Sequence, residues 1–387
     1  DTEIGLRSAA LALGRSMDYD NAGTVEFVVD AESGDYFFLE VNTRLQVEHP
    51  VTEQVTGLDL VELQLLAATG VPLPITQEDV AITGHAIEVR INAEDPTNNY
   101  APQTGSIETI KIPTDRQGVR WDGAFDNQGK ITPHYDSMIA KLIVSAPNRD
   151  AALDQLVSAL DDLLIGPLVT NAGLYRWLVE EPEIRTATMT TRYLDENIPP
   201  DAPRSESINS EAVAILQHQS SSADPGAWHQ LPNFRVLPNK HRLVGVYEDQ
   251  NGELQELVTP NKDVEKPATF NHKPDLLCIN QNGHTISLQP VDRTQVWISD
   301  AASTRGALAD VLAPFPAVVV EIPVGAGDLV QSGDAVLVIE AMKMLHTLTA
   351  PGTGTIESVW VSNGESVEAK QILVTFEQTE ADKKEHS

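Results

Sequence analysis

The chain has 387 residues and carries 26 lysine or arginine residues against 57 aspartate or glutamate residues, a formal net charge of −31 at pH 7. This length suits about two to four domains with separate cores, whereas the acidity argues against nucleic acid and anionic membranes as partners, since both need clustered cations on the protein. A single cysteine, Cys278, excludes a disulfide framework and a thiolate metal site.

The sequence predicts no membrane or targeting segment. No apolar run approaches the length of a membrane span, and the first five residues, Asp-Thr-Glu-Ile-Gly, have no signal-peptide character. The first residue is also not methionine. We therefore expect a cytoplasmic protein without a membrane partner, and a sequence that forms the later part of a longer polypeptide.

The first predicted elements are a helix and a β-hairpin. Apolar residues at helical spacing predict a helix over residues 4–19, and period-two patterns predict strands over 24–29 and 36–41. If the hairpin is centred on Ser33, the numbers of opposed residues sum to 66. Val28 would then face Phe38 on one side of this hairpin.

The same register places Glu26 opposite Glu40. Two carboxylates about 5 Å apart at Cβ repel each other unless a cation lies between them. Mg²⁺ bound by one or two carboxylates plus nucleotide phosphates would be such a cation. The alternative is a pair of unrelated surface glutamates.

Polar residues then alternate with Val41, Thr43, Leu45 and Val47, so an extended chain would place five polar side chains on one face. A solvent-facing edge strand would show the same alternation. These five residues are Glu40, Asn42, Arg44, Gln46 and Glu48.

Residues 38–50 read Phe-Leu-Glu-Val-Asn-Thr-Arg-Leu-Gln-Val-Glu-His-Pro, which resembles the active-site segment of biotin carboxylases, the ATP-grasp enzymes that carboxylate biotin. The resemblance implies ATP and Mg²⁺ (or Mn²⁺) as ligands, and it implies a role for each matching residue. Glu26, Glu40 and Asn42 would bind the metal and nucleotide, Arg44, Gln46 and the backbone of Val47 would bind bicarbonate, and Glu48 would be its general base.

Residues 84–96, which begin Gly-His-Ala-Ile-Glu-Val-Arg, resemble the same family. Arg90 matches the residue that stabilises the enolate of the ureido group of biotin, an oxyanion-type role for a fixed cation. The other interpretation of Arg90 is a surface ion pair with Glu88 or Glu94. Farther on, amphipathic patterns predict helices over 149–164 and 171–180.

The resemblance also shows that a part of the family pattern that precedes Glu26 has no counterpart in this sequence. Biotin carboxylases have an N-terminal subdomain and a mobile lid with a glycine-rich loop and ATP-binding lysines. The 25 residues that precede Glu26 are too few to supply them. We therefore expect the chain by itself to be inactive or nearly so.

The middle of the chain predicts a small β domain. Residues 196–232 form a boundary with a short helix near 211–218, and short alternating segments between about 233 and 306 predict an antiparallel barrel or meander that acts as a docking module. About 110 residues are too few for a TIM-barrel carboxyltransferase, which needs about 250. This layout is similar to the biotin-bearing α-subunit of heteromeric acyl-CoA carboxylases. It implies a separate carboxyltransferase β-subunit and therefore a hetero-oligomer.

The sequence indicates the acyl-CoA substrate less strongly than it indicates the family. The segment 227–237, Ala-Trp-His-Gln-Leu-Pro-Asn-Phe-Arg-Val-Leu, favours the methylcrotonyl-CoA type. The propionyl-, geranyl- and acetyl-CoA types remain open, because acyl choice lies with the carboxyltransferase partner.

The last part of the chain contains an internal repeat. The pattern around Gly327 returns 37 positions later around Gly364, which predicts a small sandwich with Lys343 at a hairpin tip. Met-Lys-Met at 342–344 resembles the biotinyl-lysine hairpin of carrier domains, and this implies that a biotin protein ligase attaches biotin to Lys343.

The carrier sequence departs from the family in two places. Ala-Pro-Phe-Pro-Ala at 313–317 replaces Ala-Pro-Met-Pro-Gly, and Leu345 replaces the usual glutamate. Alanine in the glycine position would cost up to about 1 kcal/mol if its φ were positive.

Taken together, these patterns predict an α+β protein. We expect part of an ATP-grasp domain over residues 1–76, a carboxylase C-terminal subdomain over 77–198, a linker helix and barrel-like domain over 199–308, a biotinyl sandwich over 309–378 and a disordered tail over 379–387. An ATP-dependent ligase subunit is the first hypothesis. A carrier and assembly protein without ligase activity is the second, and a lipoyl carrier is the third.

Overall fold

A computed structural model describes residues 2–30, 32–197, 243–249, 254–258, 269–273, 276–290, 310–341, 344–368 and 370–376. The chain divides into two compact units. The first unit comprises Asp1–Val89, Asp115–Arg120 and Leu142–Leu156, and the second comprises Arg90–Thr114, Trp121–Lys141 and Val157–Ser387. Helices and strands are mixed along the chain, which confirms the predicted α+β class.

Helices occur mainly in the first half of the chain. The three predicted helices are present and end within three residues of their expected bounds, whereas the helix expected near 211–218 lies outside the described residues. No described helix is long and apolar enough to cross a membrane. The helices are α1 Thr2–Ser16, α2 His49–Thr56, α3 Leu60–Ala68, α4 Arg149–Asp162, α5 Ala172–Leu178, α6 Pro182–Arg185 and α7 Tyr193–Glu196, with a 3-10 turn over Gln77–Asp79.

The strands in the first two hundred residues form several small sheets. They are β1 Thr24–Val29, β2 Tyr36–Asn42, β3 His85–Asn92, β4 Glu94–Asp95, β5 Ala101–Pro102, β6 Gly105–Ile107, β7 Thr109–Lys111, β8 Val119–Gly123, β9 Gly129–Ile131, β10 Met138–Ala146 and β11 Leu164–Gly166. Strands β3, β10 and β8 form one sheet in that order, so β3 lies at an edge. The other pairs are β1–β2, β4–β5, β6–β9 and β7–β11.

The β1–β2 hairpin has the predicted register at its open end and a different one near its turn. Glu26 pairs with Glu40, as expected, but a β-bulge follows, so that Val28 pairs with Phe37. The prediction that Val28 faces Phe38 was therefore wrong. A bulge adds one residue to one strand and exchanges the faces of the residues beyond it.

The described strands of the second half form three sheets. They are β12 Leu243–Asp249, β13 Leu254–Val258, β14 Phe270–Lys273, β15 Leu276–Gln281, β16 His284–Pro290, β17 Val311–Leu312, β18 Ala317–Glu321, β19 Leu329–Val330, β20 Ala335–Ala341, β21 Met344–Thr349, β22 Gly354–Val359, β23 Ser366–Val367 and β24 Ile372–Phe376. Strands β12 to β16 form a five-stranded sheet in the order β13-β12-β16-β15-β14. A strand expected over 296–298 lies outside the described residues.

The β15–β16 hairpin packs against the end of α4 and against α5 within the second unit. The buried side chain of Asn280 donates hydrogen bonds to the backbone carbonyls of Leu160 and Leu163. Its oxygen accepts a hydrogen bond from the backbone N–H of Gly283. Because buried amides are costly unless bonded, these contacts fix the hairpin in one position on the helices.

Gly173 in α5 provides a test of this packing. A Cβ atom at this position would overlap the ring of His284. Overpacking costs roughly 1–3 kcal/mol and exceeds the gain of about 1 kcal/mol from alanine in a helix. We expect Gly173→Ala to lower the denaturation midpoint of the second unit and a further His284→Ala change to restore much of it.

Gly14 supplies the matched control for that experiment. It also lies inside a helix, but a Cβ there would meet no atom within 4 Å. Gly14→Ala should therefore stabilise its helix by roughly 0.5–1 kcal/mol. Equal and small effects of the two alanine substitutions would show that His284 does not pack on α5 in solution.

The C-terminal strands form the predicted sandwich. Two four-stranded sheets have the orders β17-β24-β22-β19 and β21-β20-β18-β23. Strands β18, β19 and β20 begin 37 residues before β22, β23 and β24 respectively, so the sequence repeat is a structural repeat. Gly327 and Gly364, at equivalent turns, have φ values of 91° and 82°. This region of φ favours glycine, which explains why glycine occurs in both copies.

The core of the sandwich is apolar, and Val336, Leu337 and Ile339 of β20 are fully buried. Ala317 lies in β18, pairs with Val367 and is not among the positive-φ residues. Alanine in place of the usual glycine therefore carries no backbone strain here.

Candidate functional site

The open end of the β1–β2 hairpin gathers three polar side chains. Glu26 and Glu40 are directly paired, and Asn42 follows two residues after Glu40. The Nδ2 atom of Asn42 donates to Oε1 of Glu26 at 2.7 Å and to Oε1 of Glu40 at 2.9 Å. The amide therefore bridges two carboxylates that would otherwise repel each other.

Two further side chains extend this cluster. Gln46 donates from Nε2 to Oε1 of Glu26 at 3.3 Å, and its own Oε1 accepts from Nη1 of Arg44 at 2.9 Å. Arg44 is exposed and also donates to the carbonyl of Leu45. Glu26, Glu40, Asn42, Gln46 and Arg44 thus form one connected polar network, which we call the hairpin cluster.

The segment after Asn42 is not extended, so the prediction of one polar face from 40 to 48 was wrong. β2 ends at Asn42 and α2 begins at His49. Val47 and Glu48 form a turn before this helix, with Pro50 in its first turn, which suits proline because no N–H is needed there. Glu48 is exposed at the N-cap position, and its side chain makes no capping hydrogen bond.

Helix α2 is held by a buried carboxylate. Glu53, 8% exposed, accepts from the backbone N–H of Leu60 at 2.8 Å and from Nη1 of Arg120 at 2.7 Å. A buried carboxylate needs such partners, because removing one leaves an uncompensated charge. The pair anchors the helix whose start carries Glu48.

The hairpin cluster fits a magnesium ion. Among the described residues, no three His, Cys, Asp or Glu side chains converge on one point. However, Mg²⁺ is commonly bound by one or two carboxylates with the remaining ligands from phosphates and water. A cation could take the place of the Asn42 NH₂ group between Glu26 and Glu40, and rotation of this amide would present its oxygen instead.

Arg90 lies on the edge strand β3 in the second unit, and its side chain is exposed. Its backbone carbonyl accepts a hydrogen bond at 3.0 Å from Nδ2 of Asn171, a residue that the sequence did not single out. An asparagine directly before a helix predicts a cap, but the side chain of Asn171 makes no cap hydrogen bond and binds β3 instead.

The carrier hairpin is formed by β20 and β21, which pair from Ala335–Thr349 to Ala341–Met344. Met342 and Lys343, which link the last pair in the sequence, lie outside the described residues. The flanking residues Glu340 and Leu345 are both exposed. The framework around the predicted attachment site is therefore a two-stranded hairpin, which is regular from the Leu337–Leu348 pair to the Ala341–Met344 pair and irregular between Ala335 and Leu337.

The Phe315 side chain, which replaces methionine, has a defined partner. Its ring meets that of His346 edge to face, with centroids 4.9 Å apart, and both residues are at most 9% exposed. Burial lowers the pKa of His346 below its ordinary value. A neutral imidazole costs less to bury inside an apolar sandwich than a charged one.

Three protein-family profiles match the chain. Residues 2–76 match the ATP-binding domain of the carbamoyl-phosphate synthase L chain, residues 88–196 match the biotin carboxylase C-terminal domain, and residues 309–376 match the domain described as biotin-requiring enzyme. Together these matches define the class: the chain joins regions that are similar to an ATP-binding domain and to a biotin carboxylase C-terminal domain to a region similar to a biotinyl/lipoyl-type domain.

Relatives narrow the class. The chain is 30% identical to the mitochondrial methylcrotonoyl-CoA carboxylase α-subunit of Mus musculus, over 98% of this chain and 59% of that protein. It is 32% identical to the human mitochondrial propionyl-CoA carboxylase α-chain, over 97% of this chain and 57% of that protein. The chain is thus a homologue of biotin-dependent acyl-CoA carboxylase α-subunits, and it spans somewhat more than half of their length.

Solved structures agree with this assignment. A complete multifunctional pyruvate carboxylase from Rhizobium etli is 28% identical, with a TM-score of 0.51 over 63% of this chain and 25% of that chain. A variant of that enzyme with acetyl coenzyme A is 31% identical, with a TM-score of 0.50 over 56% of this chain and 20% of that chain.

Proposed function

We propose that this chain is the biotin-bearing subunit of a heteromeric acyl-CoA carboxylase, and that it carboxylates biotin on Lys343 with ATP and bicarbonate. A separate carboxyltransferase β-subunit would then transfer the carboxyl group to the acyl-CoA, and a biotin protein ligase would attach the biotin. The hairpin cluster carries this proposal, because two paired carboxylates, Glu26 and Glu40, and an exposed arginine, Arg44, belong to one polar network in a chain that also contains the β20–β21 hairpin.

The residues of the hairpin cluster suit complementary tasks. Glu26, Glu40 and Asn42 would hold Mg²⁺, which when bound neutralises the charge on the nucleotide phosphates. Arg44 would bind bicarbonate, because a guanidinium offers two parallel donors to a planar anion. The hydrogen bond from Arg44 to Gln46 orients the guanidinium beside the glutamine that would complete the anion site.

Glu48 is our candidate for the general base. It stands at the start of α2, next to Val47, and it is exposed. A base in this position would accept the proton of bicarbonate while an oxygen of bicarbonate attacks the γ-phosphate of ATP. This step would form carboxyphosphate and release ADP. Arg90 is our candidate for stabilising negative charge on the ureido oxygen of biotin, and its exposed side chain leaves it accessible to such a ligand.

Lys343 is the proposed point of attachment. Ala341 pairs with Met344 at the end of the β20–β21 hairpin. In the sequence, these two residues are joined by Met342 and Lys343. When attached there, biotin supplies a ureido nitrogen that can carry a carboxyl group. A lysine at a hairpin end can present such a group to two active sites in turn.

The acyl-CoA is proposed to be methylcrotonyl-CoA. Relatives of both the methylcrotonoyl- and propionyl-CoA types lie at 30–32% identity, so identity alone does not separate them. The preference depends on residues 227–237, which lie outside the described residues. Propionyl-, geranyl- and acetyl-CoA are the alternatives.

We also propose that the protein is cytoplasmic. The division of the chain into the five segments given above is likewise part of this proposal.

A second candidate function is a carrier and assembly module without its own ligase activity. One observation favours it: the region that matches a biotin-requiring enzyme domain, residues 309–376, is separate from the region that matches an ATP-binding domain, residues 2–76. A carrier role therefore does not depend on ligase activity in the same chain.

Changing Glu40 to glutamine tests the proposed metal site. The variant keeps the shape and the hydrogen bond to Asn42 but removes one of two negative charges. We expect the Mg²⁺ concentration needed for half-maximal ATP binding to rise at least about tenfold, equivalent to about 1.4 kcal/mol. This Mg²⁺ concentration is measured by titrating the full-length protein with Mg²⁺ at a fixed ATP concentration.

Glu32→Gln is the matched control, since Glu32 is exposed in the turn of the same hairpin. It should leave the magnesium requirement unchanged. An unchanged requirement in Glu40→Gln as well would remove the hairpin cluster as the metal site.

A further inference from the structure

The edge of β3 is covered by a side chain instead of by another strand. Asn171 is 4% exposed, and its Oδ1 accepts from the backbone N–H of Asn92 at 2.9 Å. Its Nδ2 donates to the backbone carbonyl of Arg90 at 3.0 Å. The backbone N–H of Asn171 also donates to the carbonyl of Asn92 at 3.2 Å.

This arrangement reproduces the bonding of a neighbouring strand. An edge strand presents unpaired N–H and C=O groups on alternate residues. One amide satisfies the C=O of Arg90 and the N–H of Asn92, which both lie on that edge. The backbone on each side of Ile91 is thereby fixed by a residue about 80 positions farther along the chain.

The amide is itself held by a neutral phenol. Nδ2 of Asn171 lies 3.4 Å from the hydroxyl of Tyr175, one turn along α5. Burial, followed by the charge of Glu94, raises the pKa of Tyr175 to about 12. Tyr175 is neutral at pH 7, as an ordinary tyrosine is, and it remains neutral at higher pH, so no buried phenolate competes for the Asn171 amide.

A second set of bonds continues from the same strand. Asn92 donates from Nδ2 to Oε1 of Glu94 at 3.0 Å, and Ser137 donates from its hydroxyl to the same oxygen at 2.5 Å. The segment from Arg90 to Glu94 is therefore held by polar contacts on both sides. Yet the Arg90 side chain itself is exposed. The direction in which a long side chain leaves the strand depends on its backbone. Fixing the backbone of residues 90–94 therefore fixes the direction of the Arg90 side chain.

We propose that Asn171 is a positioning residue for Arg90: its buried amide fixes the β3 backbone so that the exposed guanidinium is aimed at the ureido oxygen of biotin. This role rests on the function proposed above. Misplacing a charge-stabilising group by about 1 Å can cost up to about 100-fold in rate. ATP cleavage without biotin would not depend on Arg90 and would not be affected.

The test compares two buried asparagines in the full-length protein. Asn171→Ala removes the two side-chain hydrogen bonds to β3 and keeps the backbone bond to Asn92, and Asn171→Asp keeps the acceptor for Asn92 but turns a carboxylate oxygen towards the Arg90 carbonyl. Asn280→Ala is the matched control, because Asn280 is also buried and its amide also bonds two backbone groups, which are the carbonyls of Leu160 and Leu163 instead of groups of β3.

We expect both Asn171 variants to lower kcat/KM for carboxylation of free biotin about 10- to 100-fold and to leave bicarbonate-dependent ATP cleavage without biotin within about twofold. Hydrogen exchange at the Asn92 amide should accelerate in Asn171→Ala, whereas Asn280→Ala should leave that exchange rate and the ratio of the two activities unchanged.

Equal losses in both reactions, or unchanged exchange at Asn92, would overturn the positioning role. Absence of bicarbonate-dependent ATP cleavage in the unmodified full-length protein is a different outcome. It would contradict the proposed function itself, and the positioning role with it. The exchange measurement would still report whether Asn171 holds β3.

Discussion

Replacing Lys343 with arginine should abolish biotin incorporation. Arginine keeps the positive charge and nearly the length of the side chain, but its guanidinium stays protonated and is a poor nucleophile for acylation. The hairpin that flanks position 343 is set by the β20–β21 ladder, which does not involve this side chain. Streptavidin binding after co-expression with a biotin protein ligase should fall to background, with the fold retained.

The same domain provides a control lysine. Lys370 is exposed in a turn before β24, outside the carrier hairpin. Lys370→Arg should incorporate as much biotin as the unmodified chain. Retained streptavidin binding in Lys343→Arg would place the attachment elsewhere, and an intact mass showing lipoate on the unmodified chain would favour the third hypothesis.

The second large effect is expected at Glu48. Changing it to glutamine preserves size and polarity but removes the ability to take a proton from bicarbonate. General-base catalysis contributes about 10²- to 10⁴-fold, so bicarbonate-dependent ATP hydrolysis by the full-length protein should fall by at least about 100-fold. Nucleotide binding should persist, since the hairpin cluster does not include this residue.

Glu62 serves as the comparison for Glu48. It is an exposed glutamate in the first turn of α3, the next helix. Glu62→Gln should change the hydrolysis rate by less than about twofold, because a surface charge at a helix start contributes only about 0.3–1 kcal/mol to stability. Unchanged hydrolysis in Glu48→Gln would exclude this glutamate as the base.

The pairing of Glu26 with Glu40 could be predicted because hairpin register follows from the position of the turn. The bulge that follows this pair could not, since residues 36–39 are all apolar or aromatic and show no alternation that a bulge could shift. Likewise, the polar alternation from Glu40 to Glu48 suggested an extended chain. The strand instead ends at Asn42, and Pro50 in the first turn of α2 marks the helix that begins directly after Glu48.

The carrier domain was the most predictable part. Its 37-residue repeat gave the strands of both halves, because each copy must bury the same face against the other. The partnership of Phe315 with His346 was not visible, since it joins residues 31 positions apart in sequence. The contact of Asn171 with β3 was hidden for the same reason, and the sequence pattern placed this residue only at the start of the helix predicted over 171–180.

One measurement tests the central proposal most directly. The full-length, biotinylated protein is incubated with ATP, Mg²⁺ and radiolabelled bicarbonate, and the label is followed to the peptide that contains Lys343. We predict label on that peptide that requires both ATP and Mg²⁺ and is lost in Glu48→Gln. A fully biotinylated protein that acquires no ATP-dependent label would contradict the proposal and favour the carrier and assembly module.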